Sequence, residues 1–263
     1  LGLKITKLVF YWLVGLKVIN LKIGSAGNVV EIDLKGILVI VGNYGSGKTE
    51  VAINLAVNRK QAQLDVSIAD LDLVNPYFRT REAKGPLQAF GIKVVLPPEK
   101  FLHADLPILS PAVAGIIRQE KDVTILDVGG DDAGATVLAA LADVLRGRKL
   151  EVLQVVNRFR PFTETLEGCL QIKTEIEKAA KIQINGFIGN NNLIDETTPE
   201  DVYGGYHFMQ ALCKESALPL KFITVPERLA PEIDVSAFNC PVLTIRRQLV
   251  TPWLQRQAFS GYN

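Results

Sequence analysis

The stretch GILVIVGNYGSGKTEVAIN, residues 36–54, restricts the possible folds more than any other part of the chain. Its first part, GILVIV, is an uncharged aliphatic run, as expected of a strand buried on both faces. The run leads directly into Gly42-Asn43-Tyr44-Gly45-Ser46-Gly47-Lys48-Thr49, which matches G-x-x-x-x-G-K-[ST]. A helix is expected to follow over KTEVAINLAVNRKQAQ. A buried strand that turns through glycines into a helix is half of a βαβ unit, which implies a parallel sheet.

The same residues imply a ligand. Gly42, Gly45 and Gly47 allow the backbone to turn its N–H groups inward around phosphate oxygens. Lys48 is placed to reach the β- and γ-phosphates of a nucleotide, and the Thr49 hydroxyl to hold Mg²⁺. The helix beginning at Lys48 adds the positive end of its dipole. Asn43, Tyr44, Ser46 and Glu50 complete the expected nucleotide-binding stretch, with Tyr44 set to cover the nucleotide or a substrate.

From Val29 onward, short β-branched runs alternate with longer amphipathic segments. Strands are expected at 29–33, 36–42, 66–72, 92–96, 123–128, 151–157, 184–190, 221–225 and 242–246. Further helices are expected over ATVLAALADVLRG, TETLEGCLQIKTEIEKAAK and TTPEDVYGGYHFMQALCKES. The last opens with Thr198 as N-cap, Pro199 in the first turn and acidic residues close behind. The expected architecture is α/β: a mostly parallel twisted sheet with helices on both faces, one domain over residues 29–263. Residues 1–28 read as an appendage. Their apolar run, Leu8 to Leu16, is too short to span a bilayer and is flanked by lysines. It reads as an interfacial or packing segment, with a secretory signal or an early start site as the alternatives.

Composition narrows the partners. The 263 residues carry 29 Lys and Arg against 28 Asp and Glu, so there is no basic excess of the kind nucleic acid demands. RGRK at 146–149 and the Arg246–Arg247 pair read as solvated ends of elements. Cys169, Cys213 and Cys240 are too dispersed for a zinc or iron–sulfur site and suggest a reducing cytoplasm. His103 and His207 are isolated and form no metal pair.

Two acidic segments follow the loop. VTILDVGGDD ends an apolar run on Asp127, where a carboxylate can hold Mg²⁺ directly or through water, and Gly129–Gly130 provide a turn beside the expected γ-phosphate. In IADLDLVNPYFRTRE, Asp70 and Asp72 alternate at strand spacing, so they share a face at the end where α/β sheets place ligands. Asp72 is the expected water-orienting or magnesium-associated residue of the two. Asn75, Arg79 and Arg81 are candidates for phosphate or an acidic partner, and Asp195 and Glu196 for a substrate.

The order of strand, GNYGSGKT, helix, DLD and ILDVGG resembles the MinD/ParA/CobQ group of P-loop proteins in the SIMIBI class. The resemblance implies phosphate and magnesium roles for Lys48 and Thr49, a water-positioning carboxylate at Asp72 and a magnesium-associated acid at Asp127. It also implies that Asn190 and Pro226 lie beside the base. The chain departs from the pattern at Asn43, where the MinD/ParA proteins carry a lysine that crosses to the partner subunit's nucleotide. A neutral Asn43 removes that charge and makes the sandwich homodimer of those proteins doubtful here. Arg79, Arg81 and Arg158 are the candidates to replace it. No N-K-x-D or T-K-x-D segment is present, which favours ATP over GTP. The expected function is a Mg²⁺-dependent ATPase switch acting on a protein partner. An ATP-dependent kinase or ligase of the CobQ/dethiobiotin-synthetase type, or a nucleotide-binding subunit with little turnover, stands as the alternative.

Overall fold

A computed structural model describes residues 31–72, 83–96, 111–119, 121–130 and 132–247. The appendage at 1–28 and the candidates Asn75, Arg79, Arg81 and His103 lie outside the described residues. In chain order the elements are β1 (Gly36–Val41), α1 (Lys48–Gln61), β2 (Val66–Leu71), α2 (Lys84–Ala89), β3 (Lys93–Val95), α3 (Pro111–Arg118), β4 (Val123–Val128), α4 (Asp132–Ala140), α5 (Ala142–Leu145), β5 (Leu150–Val156), α6 (Leu166–Ala180), β6 (Gly186–Gly189), α7 (Pro199–Ser216), β7 (Leu220–Pro226) and β8 (Val242–Ile245).

The strands form one sheet in the order β3-β2-β4-β1-β5-β6-β7-β8, and every neighbouring pair is parallel. This is the expected α/β architecture. Parallel pairing aligns the carboxyl ends of all strands along one edge. β1 lies in the interior between β4 and β5. The chain leaves β1 towards β2 on one side and later returns to β5 on the other. The strand order therefore reverses at β1, and such a switch point opens a crevice at the carboxyl edge.

Alternation along the strands builds two cores. Leu38 and Ile40 join Ile68, Ile125, Leu153 and Val155 beneath Val51, Ile53 and Leu55 of α1. Ile37, Val39 and Val41 face the other way, onto Val113, Ile116 and Ile117 of α3 and Leu138 of α4. Each such aliphatic side chain, fully buried, contributes about 1.5–3 kcal/mol. α1 is also tied to the far edge of the sheet, because Asn54 Nδ2 donates to Arg246 O at 3.1 Å and Asn54 Oδ1 accepts from Arg246 N at 2.9 Å.

Thr198 caps α7 as expected, with Asp201 completing a reciprocal capping box and Pro199 in the first turn. Two expectations are corrected. The strand expected at 29–33 is absent over its described part, where residues 31–35 run without sheet partners and bury Ile32 and Leu34 against the α1 core. The alternating apolar pattern there serves packing onto a helix rather than pairing. The helix expected over 135–147 is broken into α4 and α5 at Leu141, and α5 ends before Gly147, which has φ +76°. Among the described residues no helix is long and apolar enough to cross a membrane.

The three thiols titrate abnormally because burial disfavours the thiolate. Cys169 and Cys240 are pushed up to about 12 and Cys213 to about 11. An unfolded thiol ionises near pH 8.5. Above that pH the unfolded chain loses protons that the folded chain keeps, so stability falls as pH rises. Urea midpoints are expected to be flat in this respect below about pH 8 and to drop between about pH 8.5 and 12, with Cys169→Ala plus Cys240→Ala flattening part of the drop.

Candidate functional site

The glycine loop fills the crevice at the tip of β1. Its first turn is closed by Ser46 N donating to Asn43 O at 3.2 Å. Gly47 is the N-cap of α1 with φ +87°. A side chain at Gly47 would also collide with the amide of Asn190, so both conformation and close approach require glycine. Asn190 stands at the tip of β6 and donates from Nδ2 to Ser46 O at 2.6 Å. Its Oδ1 accepts from Thr224 Oγ1 on β7 at 2.6 Å. The loop is therefore braced from below by two further strands. Pro226 ends β7 on the same side.

Asn43 Nδ2 donates to Pro161 O at 2.7 Å, while its Oδ1 accepts from Tyr44 N at 2.7 Å. The residue that departs from the MinD/ParA pattern is thus a clamp within the chain, joining the glycine loop to the segment after β5. Tyr44 stands on the crest, 66% exposed. Lys48 is buried at the start of α1, and its Nζ donates to Asn43 O at 3.0 Å. The ammonium is thereby folded back over the loop, where it and the loop N–H groups would donate together to a phosphate. Thr49 and Glu50 follow in the first turn of α1, and Glu50 accepts from Asn54 through both its carbonyl and its carboxylate.

Asp127 is the fifth residue of β4 and is in register with Ile40 of β1 and Asp70 of β2. Both acids are buried on the α1 face of the sheet, two residues beyond Ile125 and Ile68 of that core. Asp72 lies just past β2, 8% exposed, and its N–H donates to Asp70 Oδ1 at 3.0 Å. Beyond β4, Gly130 reaches the loop itself. A methyl group there would lie 2.6 Å from Lys48 Nζ, 3.0 Å from Tyr44 N and 3.1 Å from Gly42 O. The tips of β1, β2 and β4 therefore gather Lys48, Asp70, Asp72, Asp127 and Gly130 at one place.

Among the described residues no group of three or more acidic, histidine or cysteine side chains forms a metal site of its own. The available donors, the Thr49 hydroxyl with Asp127 and its neighbours, suit Mg²⁺. That ion binds through one or two carboxylates and completes its shell with phosphates and water.

Sequence reasoning set the NNN segment at the functional edge but did not foresee how the asparagines behind the loop interlock. Asn157 Nδ2 donates to Asn192 O at 2.9 Å, Asn191 Oδ1 accepts from Arg158 N at 2.8 Å, and Asn192 Nδ2 donates to Asn190 Oδ1 at 3.1 Å. The available signal was a polar NNN directly after a buried strand. Arg158, a candidate to replace the missing lysine, stacks instead over Phe159 and Phe208 at 5.6 and 5.4 Å. Arg160 is the arginine of that segment that lies on the glycine loop. Asp195 is largely exposed and pairs with Arg247 at 3.3 Å.

A glycine cradle at the switch point of an all-parallel sheet, with carboxylates on β4 and β2, the two successive strands to one side of it, defines a P-loop nucleotide-binding fold. Comparison with solved structures finds the same fold. The chain superposes on the cell division protein FtsY of Thermotoga maritima with a TM-score of 0.54 and 21% identity, covering 82% of this chain and 68% of that one. Chloroplast FtsY of Physcomitrella patens gives 0.51 and 22%, covering 82% and 65%. The 54 kDa signal recognition particle protein of Aeropyrum pernix, solved in complex with GDP, gives 0.50 and 17%, covering 83% and 47%. These likenesses show a shared α/β fold built around a glycine loop. No protein-family model matches the chain, and no curated protein matches it in sequence.

Gly130→Ala tests the contact between the β4 turn and the loop. The added methyl must displace the Lys48 ammonium. Affinity for a nucleoside triphosphate is expected to fall at least about tenfold, or about 1.4 kcal/mol, in a fluorescence titration. The thermal midpoint is expected to move only slightly.

Proposed function

We propose that the chain is a Mg²⁺-dependent ATPase that works as a switch on a protein partner. The observation carrying this reading is the contact of Gly130 with Lys48 and the loop. That closeness supports a turn after β4 that responds to the presence or loss of a γ-phosphate on the loop. In this reading the loop N–H groups and Lys48 hold the phosphates, and Thr49 and Asp127 hold Mg²⁺. Asp72, the least buried of the three acids, orients the attacking water. Each of these acts by position and charge, as phosphoryl transfer requires. Asn190 and Pro226, on adjacent strands beside the loop, lie on the side proposed for the base.

ATP is preferred to GTP on the composition of the β6 tip. Asn192 and Asp195 have the spacing of an N-x-x-D segment, but the lysine position is Leu193 and the Asp195 carboxylate faces Arg247. The GDP complex among the similar folds makes GTP the competitor to be tested. The chain spans about two thirds or less of the length of these proteins. Asn43, occupied within its own chain, does not supply the charge on which the sandwich homodimer of the MinD/ParA proteins depends.

The test is turnover of ATP and GTP with Mg²⁺ by the wild type, Lys48→Ala, Asp72→Ala and Asp127→Asn. Slow ATP hydrolysis is expected from the wild type, with losses of roughly a hundredfold or more in Lys48→Ala and Asp72→Ala. Faster GTP than ATP turnover would overturn the assignment of the base. Phosphate release by Lys48→Ala at the wild-type rate would overturn the site.

A further inference from the structure

Asn43 occupies the position where the resembling proteins carry a charged lysine, yet a second cation stands at the loop. Arg160 lies in the segment after β5, with Cδ and Nε 3.7 and 3.8 Å from the point that a Cβ on Gly45 would occupy. Its backbone is fixed on both sides. Arg160 N donates to Asn157 O at 3.1 Å, and its carbonyl accepts from Thr163 N and Thr163 Oγ1, both at 3.1 Å. The next carbonyl, Pro161 O, is the one that takes the Asn43 amide. The substituted residue therefore pins the arginine-bearing segment to the phosphate loop.

Among the described residues nothing neutralises the guanidinium. Its Nε is buried without a hydrogen-bond partner among the described residues. Among the described residues no carboxylate pairs with it. Arginine stays charged at any physiological pH, and although the residue is only half-buried, its buried Nε–H without a partner is costly. A cost of that kind at the edge of a phosphate cradle is relieved when an anion enters. Arg158, two residues earlier, has no such freedom, since it is stacked on the aromatic rings of its own segment and α7.

We infer that Arg160 is a phosphate-contacting residue that supplies, within one chain, the cation absent at Asn43, and so stabilises the charge that develops on the phosphate chain during transfer. This rests on the nucleotide-binding reading. It also assigns Asn43 a purpose, as the clamp that holds Arg160 in place.

The test is the affinity of fluorescent MgADP, and in parallel MgGDP, with and without aluminium fluoride as a mimic of the transferring phosphoryl group. The wild type is expected to bind the diphosphate more tightly with aluminium fluoride, independently of protein concentration. Arg160→Ala is expected to lose at least about tenfold of the aluminium fluoride complex while diphosphate affinity changes less than about threefold, since such a cation acts chiefly in the transition state. Arg160→Lys should recover part of the loss, and a folding defect would prevent that recovery. Equal losses with and without aluminium fluoride would overturn the inference, as would an unchanged Arg160→Ala. It would also be overturned if the wild type gained no affinity from aluminium fluoride, or gained it only at high protein concentration, which would place the cation on a second copy. Failure of the wild type to bind either diphosphate would overturn the nucleotide reading itself.

Discussion

Much of the site depends on a single hydrogen bond, from Asn190 Nδ2 to Ser46 O at 2.6 Å. A loop of three glycines in eight residues has little conformational preference of its own, and glycine gives up the most backbone freedom on ordering. Something outside the loop must fix it before a phosphate arrives. Asn190 does so from β6, and Thr224 on β7 holds Asn190 in turn. The Asn43 clamp to Pro161 adds a brace from the segment after β5. Strands distant in sequence thus preorganise a turn that the residues after β1 could not hold alone, and preorganised dipoles are what electrostatic catalysis needs.

The sheet makes this bracing possible. Because every pair is parallel, the tips of β1, β4, β5, β6 and β7 end along one edge. Polar residues at those tips meet each other and the loop, whereas the aliphatic residues behind them close the two cores. Asp127 and Asp70 meet only because β2 and β4 pair in register at that level.

The strand–loop–helix unit was legible because its signal is local: a buried aliphatic run, glycines at fixed spacing and a helix start at Lys48. The parallel architecture followed from the alternation of runs, and the α7 cap followed from Thr198, Pro199 and Asp201. What escaped depends on register and on contacts across the sheet. Nothing in the spacing of Asp70 and Asp72 shows that Asp70 is the one level with Asp127. The same holds for Asn157, Asn191 and Asn192, whose amides interlock only after β5 and β6 pair. Ile32 and Leu34 misled in the opposite sense, because an alternating pattern fits an extended segment packed under a helix as well as a strand. Asn43 was recognised as a departure from a pattern, and its geometry shows what took the lysine's place: an amide small enough to bridge two loops.

The central claim, that this cradle holds the triphosphate of a nucleotide with magnesium, is tested most directly by calorimetric titration of the purified chain with a non-hydrolysable ATP analogue, with Mg²⁺ and with excess chelator. One saturable site per chain is expected, in the micromolar range with Mg²⁺, much weaker under chelation, and lost in Lys48→Ala. No saturable heat at millimolar analogue, or identical binding by Lys48→Ala, would contradict the account.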